Sequence, residues 1–307
     1  MTSIGGAAVM EGVMMRGPKE IATAVRKPDG EIVLQKKPVS SLVNRLKLTK
    51  IPLVRGVFAF FDSMVTSVSA LMYSAEFVDI EADEDEQPSK FEAWLTNKLG
   101  DRFKDVLIYF SVFVSLVFSI ALFMLLPNFI AGFVHNYVSS GVIMSLVEGV
   151  IRIAIFLSYI LLVSRMRDIQ RVFEYHGAEH KTIFCYEAGL PLTPENARAM
   201  SRLHPRCGTS FLVFVMLVSI ILFSFISWDS MWVRMGMRLL LLPVVAGISY
   251  EIIRWAGRSS NRIVCTLSKP GMCLQNLTTR EPDDSQLEVA IAAMSAVITG
   301  DKDEDKW

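Results

Sequence analysis

The sequence predicts a mainly α-helical integral membrane protein, with about four transmembrane helices, a cytoplasmic helical hairpin and a small N-terminal β unit. Composition is the first observation behind this. Of 307 residues, 52% are hydrophobic and the mean hydropathy is +0.40, above the roughly 45–50% apolar content of a soluble domain. The second is the run 106–134, which has no charged residue and exceeds the ~20 residues a spanning helix needs. The third is the segment 164–208, where seven Lys/Arg are concentrated. Acids and bases balance at 31 each, so no basic field points to nucleic acid. The apolar content and only four cysteines exclude a disordered chain and a disulfide scaffold. The first residues lack the basic start and apolar core of a secretory signal.

From the N-terminus, residues 1–50 read as a cytoplasmic β unit. Two β-prone runs, 20–27 and 31–37, flank Pro28-Asp29-Gly30, a hairpin turn signal. Gly5, Gly6, Gly12 and Gly17 surround the first apolar run but form no nucleotide-binding fingerprint. Residues 51–77 read as an amphipathic interfacial helix. Large apolar residues at 57, 58, 60, 61, 64, 65, 68, 71 and 72 share one face, and Asp62, Ser63, Thr66, Ser67 and Ser74 the other. Residues 78–104 form an acidic linker and short helix. Within 105–163 lie two spans, 106–134, ended by Pro127-Asn128, and 142–163, with Glu148 and Arg152 inside it. Within 209–254 lie two more, 209–228 and 236–253, the latter holding Arg238, Pro243 and Glu251. Residues 255–282 look irregular, and 284–298 a short amphipathic helix, within a cytoplasmic C-terminal segment 255–307. The loops facing 164–208 across the membrane contain one Lys/Arg, Arg234. The positive-inside bias therefore puts 164–208 and both termini in the cytoplasm of a multi-pass plasma-membrane protein.

The segment 164–208 holds three of the four histidines. His176-Gly177-Ala178-Glu179-His180 reads H-x-x-E-H, the inverted form of a zinc-protease helix motif. Residues i and i+4 share a helix face, so both imidazoles can hold one metal. A neighbouring glutamate can take a proton from bound water. A helix over 169–188 stops at Gly189 and Pro191. A second starts with Thr193 as N-cap and Pro194 as first residue and is expected to run to about His204. Equal rise on two antiparallel helices sets His204 opposite residue 178 and Cys207 near 175. The expected ligands to a divalent metal, most naturally Zn²⁺, are thus His176, His180, His204 and Cys207, with Glu179 the general base. Glu187, about 10 Å further along, suits an outer position.

Arg198, Arg202 and Arg206 recur every four residues and can grip anionic lipid headgroups. Glu148 and Arg152 form an i,i+4 pair that neutralises itself in lipid.

Four blocks bear a further resemblance: GGAAVMEGVMMRGP (5–18), YHGAEHK (175–181), HPRCGTSF (204–211) and LTTREPDDSQLEVAI (277–291). Together they resemble the YqhQ-type bacterial membrane proteins, which carry a domain of unknown function and are labelled predicted metal-dependent enzymes. The resemblance implies a multi-pass bacterial membrane protein. Its matching of Glu11, Arg16 and Glu281 implies that the N- and C-terminal parts join the histidine loop in one unit. The expected activity is metal-assisted hydrolysis at the inner face of the membrane. The rivals are a non-enzymatic scaffold or assembly factor with a closed metal site, and a transporter using Glu148, Arg152, Arg238 and Glu251.

Overall fold

The computed structural model describes residues 2–39, 51–77, 103–134, 140–205, 207–225, 231–258 and 262–299. Most of the acidic linker, the loop containing His135, Arg206 and the acidic tail lie outside the described residues. The chain divides into two compact units, Met1–Val78 with Ile160–Trp307, and Asp79–Tyr159.

The first unit is built on a four-stranded antiparallel sheet in sequence order, β1 (Gly5–Val9), β2 (Gly12–Arg16), β3 (Glu20–Arg26) and β4 (Ile32–Pro38). The hairpin expected over 20–37 is present, with Gly30 at φ +89° in its turn. Two further strands precede it. Their glycines concealed them, and so did the turn between them. That turn places Glu11 at φ +47°, where the sequence offers no glycine or asparagine.

Side chains alternate across a strand, and here both faces are covered. Val13 and Met15 of β2 with Ala22 and Ala24 of β3 form one buried face. They pack on α5 (Arg167–Glu187) and α10 (Asp284–Val297) in a core that includes Tyr175, Ala178, Ile183, Leu287, Ala290 and Met294. Val9, Met14 and Val25 form the other face, against Ala70, Tyr73 and Phe77 on and just beyond α1 (Val54–Ala75). The N-terminal strands, the histidine helix and the C-terminal helix therefore share one core, as the resemblance implied.

Beyond α5, α6 (Pro194–Arg198) is only five residues long, with Thr193 capping Asn196 as expected. The expectation that it continues to His204 is corrected. Lys181, 5% exposed, donates to the Arg198 and Met200 carbonyls, satisfying the helix end from outside and letting the chain extend beyond it. The chain continues through α7 (Gly208–Ser224), α8 (Met231–Arg258) and α9 (Arg262–Thr278). The irregular reading of 255–282 is also corrected. Pro270-Gly271 looks like a breaker, yet both lie inside α9. Gly271 is needed there because any side chain would collide with Ser210 of α7.

The second unit contains α2 (Phe103–Ile120), α3 (Leu126–Gly132) and most of α4 (Gly141–Val163). Pro127 does not end the run. A π-helical turn, Ala121–Leu125, joins α2 to α3, and the Leu126 N–H reaches back to the Ala121 carbonyl. The widened turn comes just before a residue with no N–H to give. Phe123 packs edge-on against Phe156 and Tyr159 at 6.0 and 5.4 Å between centroids.

Among the described residues, four stretches are long and apolar enough to cross a membrane: Val54–Ala75, Phe110–Gly132, Gly141–Val163 and Met235–Ala256. Gly208–Ser224, overlapping the expected span 209–228, is apolar but has 17 residues, the lower end of the usual spanning range of roughly 17–25. By length alone, α1 takes the place that the sequence assigned to α7.

Candidate metal centre

α5 carries H-x-x-E-H as expected, and its histidine rings lie 4.5 Å apart between centroids. Each ring is oriented by a backbone carbonyl. His176 Nδ1 lies 2.8 Å from the Thr278 carbonyl oxygen, and His180 Nδ1 lies 2.5 Å from that of Arg202. A carbonyl only accepts, so each Nδ1 carries the proton and each Nε2 presents an acceptor lone pair. His176 Nε2 is 3.1 Å from Cys207 Sγ. His180 Nε2 has no hydrogen-bond partner among the described residues, although the residue is 1% exposed. His176, His180 and Cys207 each place a ligand atom within 4.8 Å of the others.

Three parts of the chain make this convergence. Cys207 is the residue immediately before α7 and receives the Thr209 hydroxyl on its sulfur at 3.3 Å. Gly177 lets the C-terminal strand of chain cross α5. A methyl group there would overlap the Arg280 carbonyl, and the Arg280 N–H bonds the Phe173 carbonyl at 2.9 Å. The crossing delivers the Thr278 carbonyl to His176. Gln275 clamps His204 on both sides of its backbone, accepting from its N–H at 2.8 Å and donating to its carbonyl at 2.7 Å.

His204 is buried beside the triad. Its ring centroid is 5.5 Å from that of His180 and 4.7 Å from that of Phe184, but it is not part of the cluster whose ligand atoms lie within 4.8 Å. The extended segment after α6 brings it level with 180–184, slightly beyond the position that equal helical rise gives. Glu179 is also buried, at 5% exposure. Burial raises its carboxyl above the usual range, against the opposing hydrogen bond from the Gly6 N–H. It faces β1, where any side chain at Gly6 would crowd its carboxyl carbon. Glu187 accepts from the Thr2 N–H at 2.7 Å.

Two of the arginines expected at lipid headgroups, Arg198 and Arg202, have protein partners. Arg198 forms a double contact with Asp284. Arg202 donates to the Thr279 carbonyl and hydroxyl at 2.8 Å and pairs with Glu281. Glu281 also pairs with Lys181 at 2.9 Å. Glu11 holds Arg171 and accepts from the Tyr175 hydroxyl at 3.2 Å. Burial comes first among the causes that push the Tyr175 phenol well above its ordinary value. Sequence reasoning missed the Thr278 and Arg202 carbonyls, because a backbone acceptor has no residue signature. Gly177 was in view as part of the motif, without a reason for being glycine.

The donor set fits a thiophilic divalent ion. Two neutral imidazoles with their far nitrogens tied down, plus one sulfur, match zinc's preferences and its usual outer-shell pattern. Fold and site thus define a class: a helical protein with membrane-length helices and a unit that carries a small sheet and presents a His–His–Cys cluster. The chain belongs to the family described as protein of unknown function DUF1385, whose model matches residues 51–300. It is similar to the uncharacterized protein YqhQ of Bacillus subtilis (strain 168), 36% identical over 298 residues, covering 96% of this chain and 92% of that protein. No solved structure matches.

Proposed function

We propose that this chain is a zinc-dependent hydrolase of the plasma membrane, working at the cytoplasmic face, with His176, His180 and Cys207 as its metal ligands. The observation that carries the reading is the pair of fixed tautomers. The His176 Nε2 meets the Cys207 thiol, while the buried His180 Nε2 beside it has no hydrogen-bond partner among the described residues, a capacity that proteins seldom leave unspent in a core. Three protein ligands leave a fourth position for water, the pattern of catalytic rather than structural zinc. Bound zinc would supply a water acidic enough to lose its proton near neutral pH. Glu179 is the candidate acceptor of that proton. Its raised carboxyl suits a group that must hold a proton and release it, and a modest turn of its side chain away from Gly6 is required. The location rests on the apolar helices of membrane length and on the loop charge asymmetry.

His204 supports a second reading. Its buried ring beside His180 can close the site with a fourth ligand, which would make the metal structural and the protein a scaffold. Metal analysis of the purified full-length protein tests the primary claim. One zinc per chain is expected, lost in His180→Ala and Cys207→Ser and kept in Glu179→Gln. Substoichiometric metal in the unaltered protein overturns it. Cobalt-substituted protein separates the readings: His204→Ala leaves the visible spectrum unchanged for an open site and alters it for a closed one.

A further inference from the structure

We propose that α1 lies flat in the membrane interface with its apolar stripe in lipid, and that this holds the His176–His180–Cys207 centre at headgroup depth. The group that reaches the metal then belongs to a bilayer amphiphile. The second half rests on the metal reading above; the first half does not.

α1 has its polarity reversed relative to a helix on a water-soluble sheet. Its inward side uses Asp62, Ser69, Ala70 and Ser74, with Asp62 paired to Arg16 and Ser69 accepting from Lys37. Its outward side carries Phe61, Met64, Val65, Val68, Leu71 and Met72, all 41–70% exposed. A stripe of that size is not left to water.

Length and hydropathy would let this helix span, but its contacts forbid it. From Asp62 to Phe77 it runs along the sheet for about 22 Å. A crossing would drag Arg16, Lys37 and an open sheet edge into hydrocarbon, where unpaired backbone groups are not tolerated. Parity gives the same answer. The sheet shares a core with α5, so an even number of crossings must separate them. The stretches Phe110–Gly132 and Gly141–Val163 supply two, and α1 would make three.

The occupant of the stripe follows from continuity with the apolar helices that α1 touches. Arg55 pairs with Glu251, and Gly56 abuts Tyr250, at the end of α8 that leads to α9. Phe60 packs on Phe211 of α7 at 5.3 Å between centroids. Phe211 lies four residues past Cys207, about 6 Å along the helix. The same ring contact that sets α1 against the start of an apolar helix therefore sets the cysteine ligand at the level of α1. Peripheral enzymes that lie in an interface use such a stripe to set their depth.

The test uses full-length protein in phosphatidylethanolamine–phosphatidylglycerol liposomes, with a fluorescent amino acid placed singly at Phe58, Val65, Met72 or Leu212. Phospholipids brominated near the glycerol end or near the methyl end report depth. Positions 58, 65 and 72 should quench within about twofold of one another, more strongly with shallow bromine, and Leu212 should be at most slightly deeper. A spanning helix would separate positions 58 and 72 by about 21 Å and give a depth gradient, which overturns the proposal. Absence of quenching overturns it as well, because protein, either a second copy or a partner, then covers the stripe.

For the second half, cobalt-loaded protein in the same liposomes is titrated with decyl hydroxamate and acetohydroxamate. The decyl compound should bind at least about tenfold more tightly, since its chain partitions beside the site. Equal affinity, or no binding by the decyl compound, overturns headgroup depth. If the protein takes up no cobalt, the metal reading fails and takes the second half with it, while the quenching result still decides where α1 lies.

Discussion

His180 and Glu148 are both polar side chains buried among apolar neighbours, and the two units of the chain treat them in opposite ways. Glu148 accepts from Arg152 at 2.9 Å one turn along α4, with the two side chains 4% and 12% exposed. That pair largely cancels its own charge, which is how an ionisable group becomes tolerable among membrane helices. His180 uses one nitrogen on a carbonyl and leaves the other bare beside a second imidazole and a thiol. A buried carboxylate that meets an opposite charge one turn away has a partner on its own helix. A buried group with a lone pair left over, beside a second imidazole and a thiol, is what the proposed metal reading would use.

Removing a ligand should break this contrast most severely. If apparent zinc binding of about 10–16 kcal/mol is shared among three ligands, His180→Ala or Cys207→Ala costs roughly 3–5 kcal/mol, more than about 100-fold in affinity. Competition with a chromophoric chelator measures it. Glu148→Ala should leave that affinity unchanged. An equal loss in both variants would dissolve the distinction between the two clusters.

Next in size is Gly177→Ala. The new methyl group must push the Arg280 carbonyl away and with it the Thr278 carbonyl that orients His176. Losing such an outer partner typically costs about 10–100-fold in metal affinity. Gly208→Ala, where no atom lies within 4 Å of the added carbon, is the matched control. If both variants bind zinc like the unaltered protein, the crossing segment has no part in holding the centre.

For the membrane pair, a double-mutant cycle on Glu148→Gln and Arg152→Gln should give a coupling of about 0.6–1.7 kcal/mol. That exceeds the ~0.3–0.5 kcal/mol of an exposed i,i+4 pair. Unfolding of purified protein in mixed detergent micelles reads it. A coupling no larger than the exposed value would mean that the pair is solvated, and α4 would then be open to water at mid-length.

The two clusters also differed in how readily the sequence announced them. The Glu148–Arg152 spacing and the His176–His180 spacing both follow from 3.6 residues per turn, so both were readable once the helices were recognised. Cys207 was reachable through the reversal at Gly189–Pro191, although the helical path drawn to it was too long. α6 ends early because a buried lysine from the neighbouring helix satisfies its carbonyls, a tertiary contact invisible in a local window. Strands β1 and β2 were hidden because GGAAV and GVMMR gain their stability from α5, α10 and α1 rather than from β propensity. Helix α9 was hidden by a Pro-Gly pair whose glycine is spent on contact with Ser210. The carbonyls of Thr278 and Arg202, which fix the two tautomers, belong to any residue and leave no mark. What periodicity sets was legible; what two distant segments do to each other was not.

The smallest effect concerns a polar group that is satisfied at the surface of the first unit. Asp283 caps α10 in a reciprocal box. Its carboxylate accepts from the Gln286 N–H at 2.9 Å and from the Ser285 hydroxyl at 2.6 Å, while the Gln286 side chain accepts from its N–H at 2.9 Å. Partial burial pushes its carboxyl up, but those two donors and the field of Arg171 outweigh it and hold the group below the ordinary aspartate range. A carboxyl depressed in the folded state stabilises the fold above its unfolded pKa of about 3.9, and that contribution is lost as pH falls through the lower folded value. Asp283→Ala removes the cap and should cost about 0.5–2 kcal/mol at neutral pH. Asp283→Asn keeps an acceptor and should cost only a few tenths at neutral pH. It should also flatten the part of the stability profile below about pH 4 that belongs to this group. Chemical unfolding of the full chain followed by tryptophan fluorescence at pH 7 and at about pH 3.5 distinguishes the two variants. If Asp283→Asn loses as much as Asp283→Ala at pH 7, the charge at the helix end, and not the hydrogen bond, is what holds α10 over the sheet.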